Sequence, residues 1–130
     1  MANRVPLALL PGLLLDRAVW RAQLEGLADL ADCRVADLTA RDSVAALATD
    51  VLADMPKHFA LAALSMGGYV ALEIMRQAPE RVMALALLDT TARSDSEAQV
   101  ARRRGLIELS KKGKFKGVTR RLLPQVARTI

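Results

Sequence analysis

Four short apolar runs, separated by stretches with helical spacing of apolar residues, dominate the first ninety residues of the chain. The runs cover residues 5–10, 33–36, 59–64 and 82–88. Three of them contain no charged residue, which is typical of strands whose two faces are both covered. The pattern therefore predicts four strands, of which 33–36 is the shortest.

The stretches between these runs have the apolar spacing of amphipathic helices. The three sets are Trp20, Leu24 and Leu27; Val44, Leu47, Ala48, Val51 and Leu52; and Val70, Ile74 and Met75. Asp16 and Ser43 stand where the first two helices need an N-cap. Pro56 and Pro79 stand where the second and third helices are expected to end.

Strands that alternate with helices predict an α/β fold, with a parallel sheet and helices on both of its faces. Right-handed crossovers bring the carboxyl ends of all strands to one edge of the sheet, where ligands bind in such folds. Pro11-Gly12, Ser65 and Asp89 each follow a predicted strand directly. We therefore expect these residues to lie at one edge.

The segment Ala63-Leu64-Ser65-Met66-Gly67-Gly68 joins the third strand to the third helix. A serine between small residues on a tight strand-to-helix turn is the arrangement called a nucleophile elbow. Here the chain resembles the α/β-hydrolase family, whose motif is usually Gly-x-Ser-x-Gly, although Ala63 stands where glycine is usual. The alternative is that Ser65 is a plain helix cap.

The resemblance implies a role for each residue of a site. Ser65 would be the nucleophile, and the backbone N–H of Met66 would be one donor of the oxyanion hole. The second donor would come from the loop after the first strand, where Pro11 replaces the usual histidine and Leu13 would supply the N–H. Pro11-Gly12 could equally be an ordinary turn.

The acid and the base of a catalytic triad are harder to place. The family order is serine, acid, histidine, and Asp89 is the candidate acid after Ser65, although it could be only a turn residue. The single histidine, His58, precedes the third strand. Strand residues at about 3.3 Å each place it about 20 Å from Ser65, beyond hydrogen-bond reach.

From residue 94 onward the chain becomes helical and basic, without a further strand. We divide the chain into a hydrolase-core portion, 1–93, and a lid-like segment, 94–130, with helices near residues 95–112 and 115–123. Related hydrolases continue through further strands, an acid and a histidine. We therefore expect the N-terminal portion of a longer hydrolase, weakly active or inactive alone. Its last strand, 82–88, would be an exposed edge that favours self-association.

The net charge of +5 is concentrated in this segment, because residues 101–130 hold 10 basic residues and one acid. The alternative function is a non-catalytic module whose basic helices bind an anionic partner. We do not favour nucleic acid, since charge runs are usually solvated faces. A small acyl substrate is the expected partner.

The remaining composition narrows the class of protein further. The single cysteine, Cys33, excludes a disulfide within the chain and suits a cytoplasmic protein. We expect no membrane span, because no apolar stretch reaches about 20 residues. No cofactor or metal motif is present in the sequence.

Overall fold

The structure, a computed structural model, describes residues 3–114. In this range the elements are β1 (Val5–Leu10), α1 (Arg21–Gly26), β2 (Ala31–Val35), α2 (Val44–Asp54), β3 (Phe59–Leu64), α3 (Met66–Gln77), β4 (Val82–Leu88) and α4 (Glu97–Lys111). Short 3-10 helices precede α1 and β4. The chain divides into two compact units, with the boundary between Thr91 and Ala92. The helix predicted at 115–123 lies outside the described residues.

The four strands form one parallel sheet in the order β2-β1-β3-β4. The predicted α/β fold with a parallel sheet is therefore confirmed. From β1 the chain moves outward to β2, and it then returns past β1 to β3. With right-handed crossovers, this reversal places α1 on one face and α2 and α3 on the other. It also makes the carboxyl ends of β1 and β3 a topological switch point, where such sheets bind ligands.

The main core lies between the sheet and the pair of helices α2 and α3. Its buried strand residues are Ala8 and Leu10 of β1 and Phe59, Leu61 and Ala63 of β3. The helices contribute Leu47, Ala48, Val51, Val70, Ala71 and Ile74. Leu9 is also buried, and strand alternation directs it to the opposite face. The central strand β1 is thus covered on both sides.

Side-chain capping explains where the first 3-10 helix, α2 and α4 begin. The Asp16 carboxylate accepts from Ala18 N–H, and the Ser43 hydroxyl accepts from Ala46 N–H, as predicted. The last helix begins later than predicted, because Ser96 forms a capping box with Gln99. The single helix predicted around Trp20 is instead a 3-10 turn followed by the six residues of α1.

The edge strand β4 is exposed although its sequence is that of a buried strand. From Met83 to Leu88 every residue is exposed, and the Met83 side chain is 60% accessible. Among the described residues, β4 pairs only with β3. Parallel strands of this composition are normally covered on both faces. Its apolar, uncharged edge therefore has the features that favour pairing with another chain.

We predict that the 130-residue chain self-associates through β4. Met83→Lys places a charge on this edge and should raise the dissociation constant at least tenfold, since burying such a side chain contributes about 1.5–3 kcal/mol. Sedimentation velocity over a concentration series measures the effect. Leu30→Lys is the control, because Leu30 is 67% exposed and lies before β2. A monomeric parent chain, or an equal effect of both substitutions, contradicts the prediction.

A polar network links α3 to α2 and makes stability depend on pH. The Glu73 carboxylate accepts from the Arg76 guanidinium at 2.7 Å and from the Gln77 amide at 3.0 Å. The same amide donates to Ala45 O of α2. The hydrogen bonds from Arg76 and then Gln77 lower the pKa of Glu73 to about 2.

Because the pKa of Glu73 is lowered in the folded state, its stabilisation is present above its ordinary pKa near 4.5 and is lost toward pH 2. Glu73→Gln should therefore lower the urea midpoint at pH 6, and its deficit relative to the parent should shrink at pH 3. Glu80→Gln removes the same charge from an exposed side chain and is the control. A deficit that is constant with pH would exclude this linkage.

Candidate active site

Ser65 occupies a one-residue turn between β3, which ends at Leu64, and α3, which begins at Met66. Its backbone dihedral angles are φ 51° and ψ −115°. A positive φ is uncommon outside glycine and costs about 1–3 kcal/mol, so it persists only where the surroundings impose it. Ser65 is also exposed. The turn thus presents a strained serine at the carboxyl edge of the sheet.

The hydroxyl of Ser65 is not used to cap α3. Ser65 holds the N-cap position but makes no side-chain capping hydrogen bond. Ser43 and Ser96, at the starts of α2 and α4, both accept a backbone N–H with their hydroxyls. A serine that only capped the helix would be expected to do the same. The geometry leaves the Ser65 oxygen available at the surface.

The end of β4 holds this turn in place. Ser65 N–H donates to Leu88 O at 3.0 Å, and the Thr90 hydroxyl donates to Ser65 O at 2.8 Å. The same oxygen accepts from Gly68 N–H at 2.9 Å. Both the amide and the carbonyl of Ser65 are therefore fixed by named partners. No motif around Thr90 predicted this role, because Thr90 only follows the fourth predicted strand at a distance of two residues.

The two glycines after Met66 are required by close approaches of the chain. A Cβ atom at Gly67 would lie 2.6 Å from Leu10 O and 2.7 Å from Pro11 O. At Gly68 it would collide with the Thr90 side chain. These distances are shorter than contacts between real atoms allow. Gly67 and Gly68 let α3 start directly against the ends of β1 and β4, as an elbow demands.

The loop after β1 lies directly beside the serine. A Cβ atom at Gly12 would be 3.3 Å from Ser65 Cβ. Leu13 follows Gly12 in this loop, and Met66 follows Ser65 at the start of α3. The N–H groups of Leu13 and Met66 have no hydrogen-bond partner among the described residues. An oxyanion hole requires N–H donors that are free in this way, and the role of these two stays a prediction.

The structure separates the other two candidate residues. Asp89 follows Leu88, the residue whose carbonyl binds Ser65 N–H, and it is exposed with φ 47°. It lies on the same edge as Ser65, and its role as an acid stays a prediction. His58 is exposed just before β3, at the opposite edge of the sheet. The chain's only histidine is thus not brought to Ser65.

An open cavity of about 450 Å³ adjoins the serine turn, and sequence analysis did not predict it. One part of the lining is Pro11 to Arg17, another is Val35 to Thr39, and Met66 completes the lining. Both loops follow strands of the sheet, β1 and β2, at the carboxyl edge. Only the observed pairing of β1 with β2 brings these two loops together.

Residues 3–114 contain neither a candidate metal site nor a candidate membrane-spanning helix. No group of three or more histidine, cysteine, aspartate or glutamate side chains in residues 3–114 could hold a metal ion. No helix within that range is long and apolar enough to cross a membrane.

Solved structures match the chain, whereas no family model matches and no curated protein is significantly similar in sequence. A thermophilic esterase from Thermogutta terrifontis is 33% identical, with a TM-score of 0.68 over 84% of this chain and 46% of the esterase. A hydrolase from Pseudomonas aeruginosa is 25% identical, with a TM-score of 0.67 over 86% and 49%. A bacterial membrane phospholipase A is 28% identical, with a TM-score of 0.63 over 78% and 38%.

The chain spans less than half the length of each of these three enzymes. This chain has a parallel sheet in the order β2-β1-β3-β4, with helices packed on it. The chain thus has part of the α/β-hydrolase fold, and it is similar to the esterases and hydrolases of that family.

Proposed function

We propose that this chain carries the nucleophile of a serine hydrolase that acts on ester-like or other acyl substrates. The observation that carries the proposal is the strained turn at Ser65, whose hydroxyl is exposed and not used to cap α3. Strain at such a position is typical of functional sites. The similarity to an esterase and to a phospholipase A supports an ester as the substrate class.

In the proposed reaction, Ser65 Oγ attacks the carbonyl carbon of the substrate while a general base removes the hydroxyl proton. Negative charge then develops on the carbonyl oxygen. The N–H groups of Met66 and Leu13 would donate to that oxygen, and removal of one such donor typically costs about 10²–10³ in rate. Collapse of the intermediate expels the alcohol, which takes up the proton held by the general base. Water, deprotonated by the same base, then attacks the acyl-serine, and the acid leaves as Ser65 Oγ regains its proton.

The general base is the component that the chain does not place at the site. His58 lies at the amino end of β3, whereas Ser65 lies at the carboxyl end. General base catalysis contributes about 10²–10⁴ in rate. We therefore propose that the 130-residue chain alone is weakly active or inactive. Asp89 is our candidate for the acid, because it follows the strand that binds Ser65 N–H.

The basic segment does not change this proposal. In its described part, Arg103 pairs with Asp95 at 3.0 Å and Lys111 with Glu108 at 3.4 Å. Part of its positive charge is thus already partnered, as on a solvated helix face. We propose a small acyl substrate, and not nucleic acid, as the partner. We also propose a cytoplasmic location, on the basis of the single cysteine.

A fluorophosphonate probe tests the nucleophile directly, because it reacts covalently with activated serines. We expect slow labelling of the chain at Ser65, located by mass spectrometry, and loss of that labelling in Ser65→Ala. Ser94→Ala, which changes another exposed serine, should label like the parent. Turnover of p-nitrophenyl esters should be little above the uncatalysed rate, because the base is missing.

Three results contradict the proposal in different ways. Labelling that is unchanged in Ser65→Ala excludes Ser65 as the nucleophile. Efficient ester turnover that depends on Ser65 shows that a base is present at the site, contrary to the position of His58. Binding of nucleic acid that survives moderate salt, without labelling of Ser65, favours the alternative function of the basic segment.

A further inference from the structure

We propose that the cavity beside Ser65 is a subsite for an uncharged aliphatic group of the substrate, an inference that rests on the proposed function. Its volume of about 450 Å³ is within the range of small-molecule sites. It lies between the loop after β1 and the loop after β2, and Met66 is part of its lining. A group attached to a carbonyl at Ser65 would therefore enter it.

The first wall, Pro11 to Arg17, includes three consecutive leucines that are exposed to solvent. Leu13, Leu14 and Leu15 are 62%, 56% and 44% exposed. A contiguous exposed apolar patch of this kind marks a binding site more often than a chance feature. Since none of the three is in the core cluster, their apolar character does not serve the packing of the sheet.

The shape of this leucine loop is fixed by the backbone. Leu15 N–H donates to Gly12 O at 3.1 Å, which closes a turn next to Ser65. Leu14 has φ 59°, a conformation that is unfavourable for a bulky side chain. Such strain is maintained where the surrounding structure imposes it and is concentrated at ligand sites. The leucines are thus held at the cavity and not merely left in solvent.

The second wall carries a carboxylate that is bound by its own loop. The Asp37 carboxylate accepts from Thr39 N–H at 2.9 Å and from the Thr39 hydroxyl at 2.6 Å. These bonds hold the carboxylate against its own loop and lower the pKa of Asp37. Val35 and Leu38 supply apolar lining on the same side. The Asp16 carboxylate, which also lines the cavity, accepts from Ala18 N–H at 2.8 Å.

The charges of the lining disfavour an anionic ligand. The cavity is lined by two carboxylates, Asp16 and Asp37, and by one cation, Arg17. An uncharged aliphatic chain would make apolar contacts with the three leucines, and the two carboxylates would not repel it. The lining therefore points to the alkyl part of an acyl or alcohol group, and not to a carboxylate or a phosphate.

Binding of linear alcohols to the Ser65→Ala chain tests this subsite without any chemistry at the serine. Amide chemical shifts, followed by NMR in a titration with 1-butanol, 1-pentanol and 1-hexanol, should change saturably in residues 12–17 and 35–39. Each added methylene should tighten binding about fourfold, since burying a CH₂ contributes about 0.8 kcal/mol. Hexanoate should bind no more tightly than 1-hexanol.

Leu14→Asn should weaken 1-hexanol binding about fivefold or more, because it removes apolar surface from the wall. Asparagine tolerates a positive φ, so this substitution is compatible with the loop. The matched control is Leu30→Asn, at a more exposed leucine before β2. The Leu30→Asn chain should bind 1-hexanol as tightly as the chain without this substitution. Val35→Thr tests the opposite wall with a side chain of similar shape and should also weaken binding.

Three results overturn the proposal: no saturable shifts in the two loops, equal effects of Leu14→Asn and Leu30→Asn, or much tighter binding of hexanoate than of 1-hexanol. Because the serine is absent from the tested chain, failure of binding is distinct from failure of Ser65 to react with a fluorophosphonate. Labelling of Ser65 without alcohol binding would refute the subsite alone.

Discussion

The hydrogen bonds between the end of β4 and the turn at Ser65 are the constraint on which the candidate site depends. Leu88 O accepts from Ser65 N–H, and the Thr90 hydroxyl donates to Ser65 O. Because the N–H and the C=O of Ser65 are both bound, the residue cannot relax its φ without losing these bonds. The sheet register, which places Leu64 opposite Leu88, makes both bonds possible. The serine is thus positioned by long-range pairing of strands and not by its own turn alone.

The packing of the core offsets the backbone strain at Ser65. Strain of about 1–3 kcal/mol at Ser65 is a large fraction of the stability of a small domain. The buried residues that stabilise this region belong to β1, β3 and α3. They include Leu10, Ala63 and Val70. Gly67 then allows α3 to begin within contact of the Leu10 carbonyl. The packing of the core residues and the strained conformation of Ser65 at the carboxyl edge of the sheet therefore depend on each other.

Local sequence signals predicted much of this fold. The apolar runs located β1, β3 and β4, and Asp16 and Ser43 cap the helices that they were expected to begin. What the chain alone did not reveal depends on contacts between distant segments. The role of Thr90 follows from the pairing of β3 with β4, and the cavity follows from the pairing of β1 with β2. The residues around Thr90 and Leu14 contain no sequence signal that indicates which strands pair.

The most direct test of a strained, functional serine is the stability of two substitutions at Ser65, with Ser43 as the matched helix cap. At an ordinary serine cap, change to alanine costs about 1 kcal/mol and change to glycine a few tenths. Ser43 should show these losses in urea unfolding. Ser65→Gly should instead stabilise the chain by about 1 kcal/mol, because glycine adopts a positive φ without strain, and Ser65→Ala should be nearly neutral. Losses at Ser65 that match those at Ser43 would show that Ser65 is an unstrained structural cap.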